Sequence, residues 1–94
     1  MSVERVGVVG AGLMGSGIAE VCARAGLEVA VVEVTADLAS AGLRRVTTSM
    51  GKAVERGKLA AEERDGALSR LSFGTDFTAL AASDLVVEAV IEDL

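Results

Sequence analysis

The sequence predicts an α/β fold, a parallel sheet with helices on both faces. Short β-branched runs alternate with amphipathic helical stretches, and no hairpin signal joins any two of the runs. The first run also opens into a turn dense in glycine that leads straight into a helix.

Val6, Val8 and Val9 form the first run, as expected of a strand covered on both faces. In the helix that follows, Gly15, Ile18, Ala19 and Cys22 recur at helical spacing and predict the stripe that packs on the sheet. Gly26 suits a left-handed C-terminal cap, with Arg24 favourably placed in the last turn. "EVAVVEV" (28–34) predicts a second buried strand. Thr35 or Asp37 then caps a long helix reaching Glu55 or Arg56, with Ala39, Leu43, Val46, Met50 and Val54 inward and Gly57 as its stop.

A shorter helix over roughly 60–70 aligns Ala60, Arg64, Ala67, Leu68 and Leu71 on one side. "LSFGTD" alternates Leu71, Phe73 and Thr75 as a third strand. A helical turn around 77–80 and a polar turn at Ser83 and Asp84 precede "LVVEAV" (85–90), which reads as a buried fourth strand. Right-handed crossovers put the first two strands side by side, and the four strands are expected in the order third, second, first, fourth. The outer edge of the fourth strand is then unpaired, apolar and open to association.

Composition narrows the function. Hydrophobic residues make up 51% and charged residues 24%, which excludes a disordered chain. The net charge is −5 and the basic residues are scattered along the chain, so no nucleic-acid partner is expected. No apolar run approaches the ~20 residues of a membrane span, and no leader is expected. The single cysteine, Cys22, cannot form an internal disulfide, which sets the expectation of a reducing, cytoplasmic compartment. There is no histidine, tyrosine or tryptophan. Hydride or acyl chemistry near neutral pH then has only carboxylates, lysines and Cys22 to draw on, a thin inventory for a complete enzyme.

"GAGLMG" fits G-x-G-x-x-G with Gly10, Gly12 and Gly15, between a predicted strand and a predicted helix. In that context it predicts a Rossmann-type dinucleotide site. Gly10 permits the tight turn, Gly12 lets a pyrophosphate approach the backbone, and Gly15 lets the helix pack closely on the strand. The N–H groups near Leu13 and Met14, at the positive helix end, then receive the phosphates. The plainer alternative is a tight turn with small residues that serve packing alone. Glu33 lies 23 positions beyond Gly10, at the strand end where a carboxylate meets the adenosine ribose 2′-hydroxyl. Neither Val34, Thr35 nor Ala36 could receive a 2′-phosphate, so NAD is expected over NADP. Arg44 and Arg45 read as solvated surface, Cys22, Met14 and Met50 as packing residues, and the cluster from Glu62 to Asp65 as a solvated helix face. No metal site is expected without histidine or a second cysteine.

"GAGLMGSGIAEVCARAG" (10–26) and "DLVVEAVIEDL" (84–94) go beyond a generic fingerprint. They resemble the NAD-binding domain of the 3-hydroxyacyl-CoA dehydrogenases, including 3-hydroxybutyryl-CoA dehydrogenases, and the resemblance runs over essentially the whole chain. It implies cofactor contacts at Gly10, Ala11, Gly12, Leu13, Met14, Gly15 and Glu33, and at Ala89 and Glu92 after the last strand; Glu88 is left a role in local hydrogen bonding. It also implies that the catalytic histidine–glutamate pair, with a serine and an asparagine that polarise the substrate, comes later in the chain. Residues 1–94 are therefore expected to be the first part of a NAD-binding domain, without the C-terminal substrate and dimerisation domain, and inactive alone. The implied parent is a cytoplasmic homo-oligomer of fatty acid metabolism. It interconverts (S)-3-hydroxyacyl-CoA, such as 3-hydroxybutyryl-CoA, and 3-oxoacyl-CoA with NAD, and holds the acyl-CoA through the later region. Two alternatives stand beside it: a non-catalytic nucleotide-binding module, and an NAD-dependent dehydrogenase of a non-CoA hydroxy acid.

Overall fold

The computed structural model describes residues 2–90. Its elements run β1 (Arg5–Val9), α1 (Leu13–Arg24), β2 (Glu28–Val32), α2 (Ala36–Glu55), α3 (Ala61–Ser69), β3 (Leu71–Gly74), a 3-10 segment (Phe77–Ala82) and β4 (Leu85–Glu88). The sheet has the order β3-β2-β1-β4, and every pairing is parallel. Val8 sits at its centre, in register with Val31 on β2 and Val87 on β4.

Alternation along the strands divides the sheet into two faces. Val6, Val8, Val29 and Val31 join Ala19, Ala23, Val46, Met50 and Ala67 in one core, so α1, α2 and α3 cover that face. The opposite face receives the 3-10 segment: a Cβ on Gly7 would lie 2.6 Å from Leu80 Cδ2 and 2.8 Å from Ser83 Oγ. Val8, Val31, Val46 and Met50 are fully buried, each removing from water apolar surface worth about 1.5–3 kcal/mol.

Helix ends follow the local signals. The Thr35 hydroxyl accepts from the Leu38 amide at 3.2 Å and starts α2, while Gly57 takes the left-handed conformation after it. Gly26, with φ +98, plays the same part after α1. Arg70 donates to the Ala23 carbonyl at 3.0 Å, tying the start of β3 to the negative end of α1.

The structure corrects three expectations of packing. The buried stripe of α1 is Gly15, Ser16, Ala19 and Ala23, while Ile18 and Cys22 are only partly buried. Only small side chains fit where the helix crosses closest to the sheet. On α2 the inward residue is Gly42 and not Leu43, because a Cβ on Gly42 would already stand 2.6 Å from Ala11 Cβ. Finally, β4 stops at Glu88 and is not buried. Leu85 and Val86 are about half exposed, since an edge strand has a neighbour on one side only.

β4 is fastened to β1 at its start by Asp84, whose Oδ2 accepts from the Glu4 and Arg5 amides at 2.9 and 3.0 Å. These bonds hold the carboxyl below its ordinary value. A depressed folded value adds stability above the unfolded value, and that stability is lost as pH falls through the folded one. Hydrogen exchange at the Glu4 and Arg5 amides should therefore quicken below about pH 4, relative to amides of β2. In Asp84→Asn this acid-dependent step should vanish.

Candidate dinucleotide site

At the carboxyl end of the sheet, β1 runs into Gly10, whose φ of +104 favours glycine. A Cβ there would also sit 2.8 Å from the Ala89 carbonyl oxygen, so Gly10 is confined between β1 and the chain leaving β4. Ala89 is buried and donates its amide to the Val9 carbonyl at 2.8 Å. Gly15 presses on the other side of the turn, where an added methyl would fall on the Gly10 carbonyl.

The peptides around Ala11 are tied from several sides. Its amide donates to Glu33 Oε2 at 2.9 Å, and its carbonyl accepts from Ser16 Oγ and from Arg45 Nη1, both at 2.9 Å. Gly12 then caps α1 without any side-chain partner, and no acidic residue stands in the first turn. Within the helix the first amide to bond is that of Ser16, to the Gly12 carbonyl at 2.9 Å. The amides of Leu13, Met14 and Gly15 are thus the donors a helix start leaves for an anion. A Cβ on Gly12 would meet nothing within 4 Å. That space adjoins the start of α1.

Glu33 follows β2 immediately, and its amide bonds the Gly74 carbonyl at 2.8 Å. Its two carboxylate oxygens accept from the Ala11 and Val34 amides, each at 2.9 Å. The carboxylate is therefore braced in one orientation, and each oxygen retains capacity for a further donor. A cleft of about 320 Å³ opens beside it, between Gly12, Glu33, Val34, Leu38, Phe77 and Val90. Sequence reasoning missed Leu38 and Phe77 as cleft residues. Their apolar character is evident in the sequence, but their exposure over the loop is not.

The structure brings together Gly10, Ala11, Gly12, Leu13, Met14, Gly15, Glu33 and Ala89 around one end of the sheet; Glu92 lies outside the described residues. It corrects Arg45, which is no free surface cation but a donor to the loop. Arg45 also lines a second cleft of about 780 Å³ with Arg44, Lys52, Arg56 and Lys58, beside Leu13. Among the described residues, none of these five cations forms an ion pair. The second half of α2 and the turn after it thus gather these cations into one basic face.

A parallel sheet with a glycine turn, an uncapped helix start and a carboxylate after β2 defines the class as a Rossmann-type dinucleotide-binding domain. Its donors and acceptor fit NAD. Residues 5–94 match the family model described as "3-hydroxyacyl-CoA dehydrogenase, NAD binding domain", and the chain belongs to that family. A 3-hydroxybutyryl-CoA dehydrogenase of Mycobacterium tuberculosis is 54% identical over 92 residues, covering 98% of this chain and 32% of the relative. The 3-hydroxyadipyl-CoA dehydrogenase of Escherichia coli is 42% identical over 94 residues, 100% of this chain and 20% of the relative. Among solved structures, M. tuberculosis FadB2 superimposes with a TM-score of 0.96 at 54% identity, covering 99% of this chain and 33% of that one. (S)-3-Hydroxybutyryl-CoA dehydrogenase from Ralstonia eutropha gives 0.93 at 37% identity, covering 99% and 33%. The chain spans about a third or less of the length of these relatives.

Proposed function

We propose that this chain is the NAD-binding part of an (S)-3-hydroxyacyl-CoA dehydrogenase acting on substrates such as 3-hydroxybutyryl-CoA. The observation that carries the reading is the cleft shared by Gly12, where a Cβ would meet nothing within 4 Å, and the braced Glu33 carboxylate, beside an α1 start that has no side-chain cap. Bound there, NAD+ supplies the acceptor for the hydride leaving carbon 3 of the hydroxyacyl group. The Leu13, Met14 and Gly15 amides bind its pyrophosphate, with Gly10 and Ala11 shaping the turn beneath them. Glu33 accepts the ribose hydroxyls, and the walls at Leu38 and Phe77 keep water from the adenine. Ala89 borders the site on the side of β4.

The residues that take the hydroxyl proton belong to a later region of such an enzyme, as does most of the acyl-CoA site. The basic face built by α2 and the residues just after it supports the same substrate class, since Arg44, Lys52, Arg56 and Lys58, in no ion pair among the described residues, offer charge to the phosphates of coenzyme A. The half-exposed apolar edge of β4 supports burial against further structure within a homo-oligomer. The free thiol of Cys22 fits a reducing, cytoplasmic setting.

Glu33 provides the test. A fixed carboxylate repels a 2′-phosphate, so the unaltered protein should bind NADH at least about tenfold more tightly than NADPH in a fluorescence titration. Glu33→Ala should bring the two affinities close together. Equal affinities in the unaltered protein would overturn the assignment.

A further inference from the structure

Arg45 has no part in the reading above, yet it makes one of the few contacts that reach the glycine turn from outside α1. It sits on α2, 34 positions from Ala11, and places Nη1 at 2.9 Å from the Ala11 carbonyl oxygen. Ser16 Oγ bonds the same oxygen at 2.9 Å. In a trans peptide the C=O and the following N–H point in opposite directions. Holding the Ala11 carbonyl toward α1 and α2 therefore turns the Gly12 amide the other way. The only side chain flanking this peptide plane is the Ala11 methyl, because Gly10 and Gly12 lie on either side of Ala11, and glycine gives little steric resistance to a peptide flip. A flip would aim a carbonyl oxygen at the phosphates and withdraw a donor.

We propose that Arg45 is a positioning residue of the phosphate-binding turn, acting through the Ala11 carbonyl to keep the Gly12 amide aimed at the pyrophosphate. The inference rests on the assignment of this turn to a dinucleotide. Its charge strengthens the bond over that of Ser16 alone, and the Gly42 approach to Ala11 keeps α2 close enough for the guanidinium to reach.

The test compares ADP, which needs the turn, with adenosine, which needs only the Glu33 cleft. Calorimetry on Arg45→Met should show ADP affinity lowered about tenfold and adenosine affinity unchanged. Arg45→Lys, which can still reach a carbonyl, should recover part of the loss. In the unliganded Arg45→Met variant the Gly12 amide resonance should shift or broaden, as the peptide samples two orientations. Failure of the unaltered protein to bind ADP would overturn the dinucleotide assignment itself. Normal ADP binding by Arg45→Met, or equal losses for ADP and adenosine, would overturn the role of Arg45 and leave that assignment standing.

Discussion

Gly15→Ala should destabilise the fold by about 3 kcal/mol, measured as a lowered midpoint of denaturant unfolding with an unchanged slope. The added methyl lands on the Gly10 carbonyl oxygen, with the carbonyl carbon 2.8 Å away. That atom cannot rotate aside as a side chain would. Gly10 is itself held at φ +104 and pressed against the Ala89 carbonyl, so the turn has no direction in which to yield. The helix propensity of alanine returns only about 1 kcal/mol of the cost. A variant as stable as the unaltered protein would show that α1 slides away from the strand without penalty.

Three residues earlier in the same motif, the same substitution should do the opposite. Gly12→Ala is expected to leave the unfolding midpoint within a few tenths of a kcal/mol, because its Cβ meets nothing within 4 Å. Its φ of −71 and ψ of −164 suit alanine as well as glycine. Affinity for NADH should nevertheless fall by at least about tenfold, since the methyl takes the space of a pyrophosphate that accepts charge-assisted bonds from the helix amides. Unchanged affinity in a titration would mean that the glycines of this turn serve packing alone. These two outcomes together would separate the two uses of glycine in one motif, Gly15 for the fold and Gly12 for the proposed ligand.

Much of this was legible in the sequence. Element order, the Thr35 cap and the stops at Gly26 and Gly57 follow from local pattern, because each depends on residues within a turn or two of one another, while the expected strand order, also found, rests on the crossover rules of parallel sheets and the family resemblance. The positions of Gly10, Gly12, Gly15 and Glu33 were legible for the same reason, since motif spacing within one strand-helix-strand unit places them at one end of the sheet.

Tertiary structure alone decided how those parts meet. Periodicity names a helix face to within about one residue, and that margin separates Leu43 from Gly42 and Cys22 from Ala23. The inward residue is selected by how closely two backbones approach, which no single segment encodes. Arg45 reads as a surface cation until α2 is laid across the turn and its guanidinium meets Ala11. Leu38 and Phe77 become cleft walls only once β3 and the 3-10 segment have come round beside β2. β4 carries the apolar run of a buried strand, but burial needs a neighbour on each side, and only β1 pairs with it among the described residues. The sequence determined which groups stand at the carboxyl end of the sheet; long-range packing decided which of them are braced there.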